Sequence, residues 1–576
     1  MRRLLLILFV LPLALLNSCS GDEENTQDLL TKGGKKYGGE FKFMSSEKIQ
    51  SLFPTYAADL YSSRIAAQIF EPLFMIDPAT LKVTPLIAES FMVNSDATVY
   101  TFKIRKGVKF HKDDCFGGKT HELDANDVKF SLDLACSGLP ENKVSYLLVN
   151  RIKGADDFQK KSKSNLPKSG VSGIKVLDNY TLEITLERPF AGFEAVLAHA
   201  ALGISPREAY DNYGKKIDKH PVGTGPFMLE DFSSEKIVLT RNPDYWAKDE
   251  FGNQLPFLDK VIVTYSENKR SELMAFRSKE IDIVLELPVE EIDHILGTLK
   301  EAQEGKNVRH KVESEQSMSM MYIAMDCQSE EFKDPRVRQA FNMAVNREKI
   351  VDEKLEGEGW AATNGFVPDL ANYPSEKVKG HLYSVAKAKE LLASAGYPNG
   401  KGFPELEFYV NSVEGSGTHK ACMAVAEQLE ANLGVKLNIK LCSLEERMAA
   451  IKSGKAKIWR EGWIADYPDA ENFLGLFYGG NIDSGSENVN SFRFQSEAFD
   501  ALYEKALSET DIAKRADLLA QCDQMVIDEA PVMPILTDDH VVMVNARVKN
   551  FEANPLEAIY LRDVFIKEPK AKKEDL

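Results

Sequence analysis

The chain alternates between two spacings of apolar residues along most of its length. Val99 to Ile104 and Tyr180 to Leu186 put apolar side chains at every second position and end in polar turns, so each predicts a half-buried strand. Ser384 to Ala395 instead places Val385, Ala388, Leu391, Leu392 and Ala395 at helical spacing and stops at Gly396. Thr418 to Leu433 does the same with Cys422, Val425, Ala426, Leu429 and Leu433, and Gly434 follows. Val435 to Leu441 then alternates again as a strand. Helix followed by strand, repeated without an internal sequence repeat or a low-complexity block, is the pattern of an α/β chain.

The first residues break that pattern. Arg2 and Arg3 precede the apolar run Leu4–Leu16, which Pro12 interrupts and which is too short to span a bilayer comfortably. Residues 1–18 therefore read as a signal peptide. Leu16-Asn17-Ser18-Cys19 resembles the lipobox of bacterial lipoproteins, with Ser18 as the small residue before the cut and Cys19 as the lipidated thiol. Residues 19–37 are polar and read as a lipidated flexible tether, and 567–576 as a charged tail. The expected location is the cell envelope, on a membrane through Cys19, with no further membrane-spanning run.

Net charge of −17, from 88 acidic and 71 basic residues, argues against nucleic acid, which demands a basic face. Cys115, Cys136, Cys327, Cys422, Cys442 and Cys522 come after Cys19 in no CxxC spacing. An exported chain could oxidise them in pairings that sequence does not resolve, although buried thiols are the commoner use. Catalytic signatures are missing. There is no GxSxG, no HExxH, no P-loop and no GxGxxG, and the nine histidines are scattered singly. Asn481 to Glu487 lacks the acidic spacing of a calcium loop. No catalytic residue, metal or cofactor is expected, and a binding protein is favoured over a secreted peptidase.

Several segments, in order, carry a resemblance. They are Ile69-Phe70-Glu71-Pro72-Leu73, Pro85 to Phe91, Asp96 to Phe110 and Asp124 to Ser131. Val222 to Phe227 leads to Arg241 to Trp246, and Asp334 to Ile350 and Gly462 to Phe473 (GWIADYPDAENF) complete the set. Together they resemble bacterial extracellular solute-binding protein family 5, which includes the oligopeptide- and dipeptide-binding proteins of ABC importers. The resemblance implies a two-lobed periplasmic-binding-protein type II fold, with lobe I at 38–78, 206–312 and 538–566. An inserted subdomain would occupy 79–205 and lobe II 313–537. The chain would cross between lobes near Lys311–Gln316 and Pro534–Asp538, making a hinge.

It further implies a monomer that binds peptides in the cleft and delivers them to permease subunits; nickel chelates, haem and oligosaccharides are other solutes of such proteins. Asp466 matches the aspartate that meets the peptide ammonium, and Arg460 the arginine that can meet its carboxylate. An internal Arg460–Asp466 or Arg460–Glu461 pair is the alternative. Trp463 and Tyr467 flank this site. Tyr56 to Tyr61, with Asp59 and Leu60, matches an extended backbone edge or is an ordinary loop. Gly223 and Gly225 suggest a tight turn, Arg336 and Arg338 local caps or pairs, and Tyr245 and Trp246 core. Phe53 and Asp326 depart from the family's usual residues, which bears on specificity.

Overall fold

The computed structural model describes residues 31–57, 59–266, 268–285, 310–355, 357–370, 373–482 and 490–567. The expected signal peptide, the expected lipidation site Cys19, part of the expected tether and residues 568–576 lie outside them.

The three largest of the described sheets divide the chain. The first orders its strands Glu40–Ser45, Lys260–Tyr265, Lys236–Arg241 and Phe227–Phe232, so it joins segments from both sides of a long excursion. That excursion builds its own antiparallel sheet, in the order Ala88–Val93, Val99–Ile104, Thr181–Thr185, Ile174–Asp178. The third sheet has six strands, ordered Trp360–Ala361, Val532–Thr537, Ser319–Met325, Ile458–Ile464, Leu406–Val410 and Leu437–Leu441. In it Leu406–Val410 runs parallel to both neighbours.

Local chemistry explains the elements that matter for the site. Ser384 caps the helix Val385–Ser394 by accepting from the Lys387 amide. Ser416 caps Gly417–Leu433, and Gly434 ends that helix at φ 70°, where a side chain would be strained. The strand Ser319–Met325 is buried at every position. Met320, Tyr322 and Ala324 pack into one core and Met321, Ile323 and Met325 into another, so the six-stranded sheet is covered on both faces.

A three-stranded sheet, Ile283–Val284, Asp539–Asn545 and His310–Gln316, adjoins the six-stranded one in sequence at two places. The chain passes from one to the other at Ser317–Met318 and returns at Asp538. These passages are tied together. Ser317 N donates to Asp538 O at 2.8 Å, and the Ser319 hydroxyl donates to Asp538 Oδ2 at 3.1 Å.

Gly223 and Gly225 do a different job from the expected turn. Neither has positive φ; a Cβ on Gly223 would sit 2.0 Å from Ile69 O and one on Gly225 2.7 Å from Gln68 O. Close backbone approach is what excludes a side chain there. Tyr245 and Trp246 donate to the buried Glu71 carboxylate at 2.7 and 3.0 Å, joined by Thr224 at 2.8 Å. Burial raises the Glu71 pKa against the pull of those donors. Arg336 pairs with Asp334, and Arg338 donates to Phe332 and Glu529 carbonyls. Phe53 is core, stacked edge-on against Phe70, and Asp326 pairs with Arg493. The six described cysteines are all unpaired.

Candidate functional site

The strand Ile458–Ile464 sits inside the six-stranded sheet, and the segment after it, Ala465–Leu474, forms the site. Ala465 N donates to Met318 O at 2.9 Å, which holds the chain beside the passage between sheets. Asp466 is next. Its amide donates to Asn472 Oδ1 at 3.2 Å, the Trp463 indole donates to the same oxygen at 2.9 Å, and Asn472 Nδ2 lies 3.4 Å from Asp466 Oδ2. Asn472 thus ties the strand end to the short helix Ala470–Leu474 and orients the aspartate. Asp469 caps that helix and pairs with Arg515 at 2.7 Å.

Two cavities meet at Asp466. The first, about 540 Å³, is lined by the Leu60–Ile69 helix, the segment 556–563, His199 and Ile464–Asp466. The second, about 520 Å³, lies between residues 145–190 of the excursion and the segment containing Trp463, Tyr467 and Tyr478. Asp466 and Tyr146 line both, and the Tyr146 hydroxyl donates to Asp466 Oδ1 at 3.1 Å. Each cavity has the size of a small-molecule site.

Every described donor to the Asp466 side chain is neutral. His199 is half-buried, and desolvation lowers its pKa although Asp466 pulls the other way, which favours the neutral ring. Its Nδ1 accepts from Ala201 N. Among the described residues, Asp466 therefore keeps an uncompensated charge, which suits a cation delivered from outside.

The other expected positions separate. Trp463 lines the second cavity and Leu60, 38% exposed, lines the first. Tyr467 is 1% exposed: its hydroxyl accepts from Arg151 and donates to Glu471, so it is committed to the protein rather than open to a ligand. Arg460 lines neither cavity. It lies on the sheet face opposite Trp463, with Nη2 near where a Gly462 side chain would start, and Glu461 pairs with Arg447 at 2.6 Å instead.

The expected extended edge at Tyr56 to Tyr61 is also corrected. Pro54–Tyr56 is a turn of 3₁₀ helix, Leu60 opens an α-helix, and Asp59 accepts from Ser62 N at 2.8 Å as its N-cap. Among the described residues of the segment only Tyr56, Leu60 and Tyr61 are helical, and Asp59 lines neither cavity.

Tyr146, His199 and Asn472 were not among the expected residues. Asn472 sits within the same sequence motif as Asp466 and could have been found there. Tyr146 is 320 positions away and carries no motif.

Among the described residues there is no cluster of groups able to hold a metal, and no helix long and apolar enough to cross a membrane.

Comparison with known proteins agrees with this architecture. Residues 82–485 match the family described as bacterial extracellular solute-binding proteins, family 5. The chain is 28% identical over 496 residues to heme-binding protein A of Haemophilus influenzae, covering 85% of each. It is also 28% identical over 499 residues to di/tripeptide-binding protein 1 of Pseudomonas aeruginosa, covering 85% of this chain and 87% of that one. Among solved structures, HbpA2 of Haemophilus parasuis superposes with a TM-score of 0.77 at 25% identity, over 92% of this chain and all of that one. DppA of Helicobacter pylori in complex with the peptide STSA gives 0.70 at 26%, over 92% and 99%. With a type II periplasmic-binding-protein fold and a family match over most of its length, the chain belongs to the bacterial extracellular solute-binding proteins of family 5.

Proposed function

We propose that this protein is the lipid-anchored receptor of an ABC importer, outside the cytoplasmic membrane, and that it captures peptides by their α-ammonium at Asp466. The observation that carries the reading is the Asp466 carboxylate, held by neutral donors where two cavities meet. A desolvated ammonium needs a fixed anionic partner, and this one is oriented before the ligand arrives. Relatives named as di/tripeptide-binding and a neighbour holding STSA support a peptide, beside a heme-binding relative of equal identity. With Arg460 and Asp59 outside both cavities, the ligand contacts rest on Asp466, Trp463 and Leu60.

Binding, not catalysis, is the proposed role, in keeping with relatives named as binding proteins. The lobes take the expected limits, with 79–205 as the insertion, and the two tied passages at Ser317–Met318 and Asp538 serve as the hinge. Small-angle scattering should show compaction with saturating peptide; an unchanged radius of gyration would remove the hinge. Cys19→Ala should abolish palmitate labelling, and persistent labelling would remove the anchor.

The deciding experiment is calorimetry on wild type and Asp466→Ala with free-amine and N-acetylated peptides. Truncating one member of such a pair costs roughly 2–5 kcal/mol, a loss of about thirtyfold or more. Free-amine peptides should suffer it. Acetylated ones should bind wild type weakly and lose little on mutation; equal losses for both would refute the ammonium anchor.

A further inference from the structure

The first cavity runs along one face of a helix. Leu60, Ser63, Arg64, Ala67 and Gln68 line it, a single stripe of the Leu60–Ile69 helix about 12 Å long at 1.5 Å per residue. The facing wall is the segment 556–563, and Ile464–Asp466 contribute from the six-stranded sheet.

Several charged and polar groups along these walls are committed to the protein. Arg64 Nε donates to Glu557 O at 2.9 Å, and its Nη2 lies 3.5 Å from the Glu557 carboxylate. Gln68 donates to the Arg64 and Ile559 carbonyls at 2.9 and 2.7 Å. Glu71 is held by Thr224, Tyr245 and Trp246, Arg562 by Asp563 at 2.8 Å, and Lys35 by Glu250 at 3.0 Å. Leu60, Ala67, Met75, Leu556 and the 64%-exposed Ile464 are left facing the space. The second cavity differs: Lys160, Arg188 and Asp156 line it beside its aromatic residues.

An apolar group in the first groove needs no hydrogen-bonding partner from its walls. In a peptide the carbon that bears the ammonium also bears the first side chain. That side chain is therefore the group beside Asp466, at the groove that Asp466 lines.

We propose that the groove along the Leu60–Ile69 helix receives the side chain of the ligand's amino-terminal residue, and that the preferred substrates are peptides beginning with a large apolar residue. This rests on the ammonium reading of Asp466.

The test is calorimetry on the mature full-length protein with tripeptides X-Ala-Ala, where X is Gly, Leu or Phe. Burying an apolar side chain should make the Leu- and Phe-first peptides bind roughly 10- to 100-fold tighter than the Gly-first peptide. Ala67→Phe, which fills the groove from the helix, should erase that advantage. If Ala67→Phe fails to fold, Ala67→Leu is read in its place for a graded loss. Equal affinity for all three peptides on wild type overturns the proposal, as does a substitution that weakens all three equally. Asp466→Ala separates the two readings: if it leaves every peptide unaffected while the ranking by X persists, the ammonium anchor fails and the groove stands.

Discussion

Tyr146 donates its hydroxyl to Asp466 Oδ1 at 3.1 Å across 320 positions of sequence, from the inserted excursion to the end of a strand in the six-stranded sheet. The contact closes the boundary between the two cavities. It also fixes one carboxylate oxygen while Asn472 approaches the other, so the charge is aimed without being neutralised.

Tyr146→Phe removes that donor and keeps the ring. A hydrogen bond to a charged group contributes about 1.5–3 kcal/mol, part of which water recovers at this exposed position. Affinity for free-amine peptides should fall roughly 3- to 10-fold, because the carboxylate must then be ordered on binding. Thermal stability should be unchanged, since the tyrosine is 37% exposed. Calorimetry with a parallel melting curve checks both. Tighter binding would mean that the hydroxyl competes with the ligand instead of aiming its partner.

Buried His111 gives a pH dependence with a definite sign. Its Nε2 donates to Gly225 O at 2.9 Å, and Nδ1 is buried without a hydrogen-bond partner, so the ring is held neutral. Burial lowers its pKa to about 4 from an ordinary 6.5. Below pH 6.5 the unfolded chain takes up a proton that the folded state refuses, so folding stability falls as pH drops toward 4. The full loss is about 3 kcal/mol. His111→Gln lacks this titration. The stability gap between wild type and variant, from urea unfolding, should narrow steadily from pH 7 to pH 4, while the other groups cancel in the difference. A gap independent of pH would show that His111 titrates alike in the folded and unfolded chain, and a gap that widens toward pH 4 would show that it is protonated in the fold.

Sequence periodicity was readable wherever one face of an element meets solvent. Val99–Ile104 alternates because its strand does, and Ser384 and Gly434 mark helix ends by their own capping chemistry. Ser319–Met325 gave no such signal because both of its faces are buried, which removes the contrast that a period needs. Gly223 shows the limit of local reading. Its role is a contact with Ile69 O, which no neighbouring residue announces. The site divides in the same way. Asp466, Trp463 and Asn472 share one motif, whereas Tyr146 and His199 reach it only through the fold. Asp59 was legible and misassigned: an Asp three residues before Ser62, ahead of Ile65, Ala66 and Ile69, is the signature of a helix cap.

The excursion is fastened to the six-stranded sheet's side of the molecule by Arg151, and its removal should leave a buried charge behind. Arg151 Nη2 donates to the Tyr467 hydroxyl at 3.0 Å, its Nη1 lies 3.6 Å from Glu471, and Phe190 packs beneath the guanidinium at 4.9 Å. Glu471 is 5% exposed and otherwise receives the Tyr467 and Tyr503 hydroxyls, the latter at 2.7 Å. Arg151 is the cation that balances it. Breaking a buried pair on one side costs about 3–5 kcal/mol; the 27% exposure of the Arg151 side chain moves the expectation to the lower end, about 2–3 kcal/mol. Arg151→Met should destabilise by that amount in urea unfolding. Glu471→Gln alone strips Arg151 of its anion but leaves it access to water, so a smaller loss is expected. In the double variant no uncompensated carboxylate remains, and its loss should be less than the sum of the two single losses by about 1 kcal/mol or more. Strict additivity would mean that Arg151 acts through its packing on Phe190 and not through Glu471.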